Sequence, residues 1–282
     1  MSTQFMKNYF AAYHGLPRLC WQGIFASFVE STLAGVYYFL SIYFVDVLHM
    51  SVSTAGILIS FYGLGTIAGG IIGGKLSDKV SPSIVLTLSL MIQAASFLCL
   101  IKLRTIQLIA FNLLILGVAT YGFITSNYTW VLSHCKNSEI DRLKAINILS
   151  VASNLGIGLS AIIISVLVNH GFHYIFNLSG VLLFALAIFL VLQNSHVSVD
   201  KTITEVEKPI PIASKEKKGI VYLALICLFF TGMIVSQLST TYSIYLKEAF
   251  PQWGVHAFSI LFFLSTCLID SKGKELSSQA GA

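Results

Sequence analysis

The chain has 282 residues, 56% hydrophobic and only 10% charged, with a mean hydropathy of +0.82 and a net charge of +5. Soluble domains carry roughly a quarter charged residues, so this composition excludes a water-soluble globular protein. The positive charge is scattered along the loops rather than gathered into one stretch, which argues against a nucleic-acid surface as its reason.

Runs of about twenty apolar residues cross a hydrocarbon core of about 30 Å as helices. Such runs lie near 22–45, 54–74, 83–101, 106–133, 145–168, 173–192 and 219–246. They are continuous rather than alternating, which predicts helices and not barrel strands. The first is longer than a signal-peptide core and has no small-residue cleavage site after it, so it reads as an uncleaved first helix. It carries "SFVESTLAGVYYF", residues 27–39, with Glu30 inside an otherwise apolar stretch. Ser27, Glu30, Ala34, Tyr37 and Ser41 recur at steps of three and four and are expected on one helical face. A polar stripe on a membrane helix points toward protein or water and away from lipid. Glu30 is nine residues past Trp21, an expected interface anchor, and so on the order of 13 Å deep.

The second run is rich in glycine, and Gly65, Gly69 and Gly73 repeat every four residues, the spacing that lets helices approach closely. No phosphate-binding glycine pattern follows a strand. Between the second and third runs the chain reads "GGIIGGKLSDKVSPSIVL". The fourth run, "FNLLILGVATYGFITSNYTWVL", places Thr120 and Asn127 within the membrane, and the fifth places Asn154 there. After the sixth run comes the longest polar stretch, "QNSHVSVDKTITEVEKPIPIASKEKKG", whose mixed charge, two prolines and lack of periodicity read as a cytoplasmic linker. In the seventh run Gln237, Thr241 and Tyr245 share a face at steps of four.

An eighth run, Val255 to Ile269, is stopped by Asp270 and is marginal for a crossing. The polar "SKGKELSSQAGA" follows; a truncated or frame-shifted gene would produce such an ending, and so would a short natural tail. The expected divisions are therefore a cytoplasmic N-terminus (1–20), a six-helix bundle (21–192), a linker (193–218), the start of a second bundle (219–269) and a polar tail (270–282). With the N-terminus cytoplasmic, 14 of the 17 Lys and Arg residues fall inside and only Lys102, Arg104 and Lys247 outside, which satisfies the positive-inside rule. The expected location is the plasma (bacterial inner) membrane, multi-pass.

The loop after the second run resembles the signature of the major facilitator superfamily. Gly74, Leu76, Asp78 and Lys79 match it in order and spacing, while Ser81, Pro82 and Ser83 stand where the family has a glycine and basic residues. "RLKAINILSVASNLGIGLSAII" resembles the family's fifth helix and "QLSTTYSIYL" its seventh. The resemblance covers roughly 20–260. It implies an all-α polytopic membrane protein with a six-helix bundle, a central cytoplasmic loop, a seventh helix and a partial eighth. It implies a secondary active transporter of a small organic solute, working by alternating access and coupled to protons or another cation. In the family the aspartate matching Asp78 helps lock the cytoplasmic side against the other half. The fourth run has no arginine and the fifth no glycine-proline element, which argues against drug–proton antiport in particular.

Within that expectation Glu30 is the candidate for proton coupling or cation binding; a structural carboxyl bonded to a neighbour is the alternative. The substrate-cavity candidates are Tyr37, Tyr38, Thr120, Asn127, Asn154, Gln237, Thr241 and Tyr245. The seven histidines form no ligand-spaced cluster, and Cys20, Cys99, Cys135, Cys227 and Cys267 show neither CxxC nor metal spacing and read as packing residues. No nucleophile–base pair, metal constellation or phosphate loop is visible, so no enzyme activity and no cofactor are expected. The expected partners are a solute, protons or another cation and the lipid bilayer, with a homodimer if the short form is functional. A second reading is a non-transporting half bundle. A seven-helix receptor fits poorly with the long loop after the sixth run and the inside N-terminus.

Overall fold

The computed structural model describes residues 16–135, 139–194, 242–250 and a scatter of positions between 219 and 264. Six of its helices are long and apolar enough to cross a membrane. The first spans Arg18–Val47 and opens with α1 (Arg18–Ala34); the others are built on α2 (Val52–Lys79), α3 (Pro82–Leu100), α4 (Ile106–His134), α5 (Glu139–Leu167) and α6 (Phe172–Asn194). The short α7 (Ser243–Ala249) lies later in the chain. The linker, the polar tail and most of the second-bundle start lie outside the described residues.

The helix ends follow from local chemistry. Ser51 opens α2 by accepting a hydrogen bond from the Thr54 amide at 3.1 Å, relieving one of the orphan amides of the first turn. Pro82 opens α3 at a position where its missing amide costs nothing. Only Val80 and Ser81 separate α2 from α3, so Gly74, Leu76, Asp78 and Lys79 are the last turns of α2 and not a loop, as their sequence context had implied. Between α5 and α6 the chain reverses at Gly171, whose φ of +100° is one that a side chain would oppose. Helix α5 begins at Glu139, earlier than the apolar run beneath it predicts.

The first membrane segment, Arg18–Val47, is not one regular helix. After Ala34 it tightens into a 3₁₀ stretch over Gly35–Phe39, resumes for one α turn and loosens into a π turn over Tyr43–Val47. Val36, Tyr37, Tyr38 and Phe39 are all poor helix formers. At Gly35 α5 comes so close that a Cβ would strike the Ser160 side chain, so the change of winding sits at a tight helix contact. Tyr43 in the π turn packs edge-on to Phe176 at 4.9 Å and donates to the Leu100 carbonyl at 3.3 Å.

Helix α4 packs along α2 and α3, α5 packs along α1, and α6 covers α3. The buried residues of α2 form a single stripe, Ala55, Leu58, Tyr62, Gly65, Gly69, Gly73 and Ser77. Cβ atoms added at Gly65, Gly69 and Gly73 would run into the α4 backbone around Leu114, Val118 and Gly122. Ile71 and Ile72 of the same helix are large, apolar and exposed, as expected of a helix that meets lipid. A second small core ties the start of α1 to the end of α4 and the start of α5 through Cys20, Ile24, Val131, Cys135 and Ala145. The buried Cys20 and Cys135 thiols share a hydrogen bond at 2.8 Å, whereas Cys99 and Cys227 are exposed and Cys267 lies outside the described residues. The chain is thus a multi-pass integral membrane protein, helical with no strand among the described residues.

Candidate functional site

A cavity of about 1250 Å³ opens in the interior where the irregular half of the first segment faces α2 and α4. That is roomy beside the roughly 300–1000 Å³ of ordinary small-molecule pockets. Glu30, Ser31, Ala34, Tyr37, Tyr38 and Ser41 form one wall, Ser60, Tyr62 and Thr66 of α2 another, and Thr120 and Tyr121 of α4 a third. Ile157 of α5 closes one side, and Met233, Gln237 and Ile244 contribute from the later part of the chain.

The polar stripe expected on the first helix therefore largely faces the cavity. Ser27 is the exception: it sits one turn below and shares a hydrogen bond with Ser153 of α5 at 2.8 Å. Tyr37 and Tyr38, neighbours in the 3₁₀ stretch after Ala34, both line the cavity. Their rings lie 3.9 Å apart, and Tyr37 also stacks on Tyr62 at 4.7 Å and 20°. Tyr62 is within hydrogen-bonding reach of Thr120.

Glu30 lies at the inner edge of this aromatic group, 3% exposed. The Ser31 hydroxyl donates to its Oε2 at 3.4 Å, and Oε1 has no hydrogen-bond partner among the described residues. The nearest ionisable groups are the Tyr38 and Tyr62 phenols. Behind Glu30, away from the cavity, Gln93 of α3 lies within interaction range of the carboxyl without the geometry of a hydrogen bond. Gln93 is completely buried.

The other expected residues part company. Thr120 and Gln237 join Tyr37 and Tyr38 at the cavity. Asn127 does not: it is buried between helices, its Nδ2 donating to the Gly23 carbonyl of α1 at 2.9 Å. Asn154 is half-buried on α5 outside the cavity wall, and Tyr245 is exposed. Thr241 lies outside the described residues. Asp78 and Lys79 are exposed at the end of α2.

Sequence reasoning passed over Gln93, Tyr62 and Tyr121. A signal existed for two of them: Gln93 is the one amide side chain of α3, and Tyr62 falls in register with the glycine stripe of α2. Chemically the cavity offers one carboxyl, several phenols and hydroxyls, and aromatic faces. Such walls can hydrogen-bond a polar organic solute and attract a cationic one.

Comparison with known proteins agrees with this architecture. No curated protein matches the chain. Among solved structures, the crystal structure of the peptide transporter POT, a point mutant in complex with sulfate, superposes with a TM-score of 0.55 at 20% identity. The match covers 80% of this chain and 47% of that one, so the chain spans about half the length of that transporter. The family model of the Major Facilitator Superfamily matches residues 21–269, and on that match the chain belongs to this superfamily.

Proposed function

We propose that the chain acts in secondary transport of a small organic solute, with Glu30 carrying a coupled proton. The observation that carries this reading is the placement of the carboxyl: nearly sealed from water, unpaired with any basic group among the described residues, yet on the wall of a large polar-aromatic cavity. A carboxylate fixed in an ion pair would stay charged; one that borders a solute cavity without a cation can change state as the solute and water come and go. Tyr37, Tyr38, Tyr62, Thr120 and Gln237 supply the solute contacts. The family supports alternating access of this cavity to the two sides.

The experiment uses the chain reconstituted in liposomes that enclose a pH-reporting dye. Small peptides, organic amines and sugars are added in turn. At least one class should move protons with the wild type and none with Glu30→Gln, while the variant inserts and still binds the solute. Equal proton movement in the variant, or none in the wild type with any solute, overturns the proposal.

A further inference from the structure

We infer that Gln93 is the positioning residue of Glu30, a partner from α3 that serves the carboxyl in both of its protonation states. The inference rests on the coupling role proposed above for Glu30. Gln93 is 0% exposed, and both its Oε1 and its Nε2 lack hydrogen-bond partners among the described residues. The Oε1 atom of Glu30 is in the same condition, and the two side chains are within interaction range. Buried polar atoms without partners are unfavourable and rare, so three of them meeting at one point call for a common explanation.

Pairing with each other supplies it. A carboxylate needs a donor, and the amide Nε2 provides one; a carboxylic acid needs an acceptor for its O–H, and the amide Oε1 provides that. Half a turn of the amide exchanges the two. A lysine or arginine at this place would hold the carboxyl charged, a second carboxylate would hold it neutral, and an apolar residue would serve neither form. Only a residue that both donates and accepts leaves Glu30 free to alternate. Ser31 already occupies Oε2, so Oε1 is the atom left for Gln93. Gln93 is absent from the cavity wall that Glu30 helps to form, so it can hold the carboxyl from behind without obstructing a solute.

Among the described residues no basic group faces Glu30. The ionisable groups facing Glu30 are the Tyr38 and Tyr62 phenols, with Tyr121 of α4 one neighbour further away. The α5 helix has no ionisable side chain between Lys144 and His170, and α6 has none between Tyr174 and Gln193.

The test labels the full chain in lipid nanodiscs with dicyclohexylcarbodiimide, which attacks protonated carboxyls in apolar sites. The Glu30 adduct is quantified by mass spectrometry from pH 5 to pH 10, with Glu30→Gln as the blank. In the wild type the adduct should fall away across a defined pH. In Gln93→Met, which keeps the volume and loses both polar atoms, labelling should persist to a pH about one unit higher, because the charged form has lost its donor. Gln93→Asn, which keeps an amide, should lie between the two. Should Gln93→Met fail to insert, Gln93→Leu reads the same contrast. A wild-type adduct that does vary with pH, with an unchanged midpoint in the apolar variant, overturns the role of Gln93 alone. Wild-type labelling that is flat across the range overturns the coupling reading and this inference together.

Discussion

Asn127 and Thr120 are seven residues apart on α4 and therefore share a face, yet one closes a helix contact and the other lines the cavity. The difference lies in α1, which converges on α4 at Gly23 and diverges above it. A Cβ at Gly23 would collide with Val131 and Asn127, so the glycine is what permits the close approach. Asn127 Nδ2 then bonds a backbone carbonyl, while its Oδ1 is left without a partner among the described residues. Interhelical hydrogen bonds in membranes are worth about 0.6 kcal/mol on average and rarely above roughly 1.7. Asn127→Leu, which also removes the unsatisfied oxygen, should therefore cost about 1 kcal/mol or less. Asn127→Asp keeps the shape but aims a carboxyl oxygen at the Gly23 carbonyl, and should cost about 2–3 kcal/mol. Thermal unfolding in one detergent should rank wild type, then Leu, then Asp; an Asp variant as stable as the wild type would mean that its protonated carboxyl donates to the Gly23 carbonyl in place of the amide.

At the scale of elements the α2–α4 contact decides the shape of the bundle, and glycines on both sides make it. Gly65, Gly69 and Gly73 meet a backbone where Gly117 and Gly122 answer them, whereas Gly56, Gly63, Gly70 and Gly74 have open space around them. Two adjacent positions thus differ completely. Gly69→Ala forces a Cβ into the Val118 backbone and should cost about 1–3 kcal/mol as overpacking. Gly70→Ala meets nothing and should be neutral or stabilising by up to about 1 kcal/mol through helix propensity. Unfolding midpoints of the two variants test this, and a tolerated alanine at 69 or a costly one at 70 would refute the geometry. The four-residue spacing made this stripe legible in the sequence, as apolar length did for the six spans, because both depend only on local periodicity. The winding of the first segment was not legible. Nothing before Gly35 breaks a helix, and the 3₁₀ stretch coincides with a contact to Ser160, more than a hundred residues away. Gln93 was missed for a related reason: one amide in an apolar run acquires meaning only when α3 brings it to Glu30.

For the molecule as a whole the parallel run of α2 and α4 sorts the charges. Helix α2 ends beside the end of α4, which packs on the start of α1 and of α5. Arg18, Lys75, Lys79, Arg142 and Lys144 therefore gather at one end of the bundle, and Lys102 and Arg104 stand at the other. Arg104 is held there by the Leu103 carbonyl at 2.9 Å and the Tyr43 hydroxyl at 3.4 Å, so its cost as an exception is partly offset by local bonds. Orientation in the membrane follows the Lys and Arg balance of the short loops and not net charge. The crowded end should face the cytoplasm. Reporter fusions check this loop by loop: alkaline phosphatase should be active when joined at 50 or 103 and inactive at 81 or 137, with a cytoplasmic reporter giving the reverse. Replacing Arg18, Lys75 and Lys79 with glutamine should invert a measurable share of the molecules, because it weakens the asymmetry through exposed side chains alone. A uniform pattern of the opposite sense in the unaltered chain would mean that the two charges near 103 outweigh the five at the other end, and the cavity would then open to the two compartments in the opposite order.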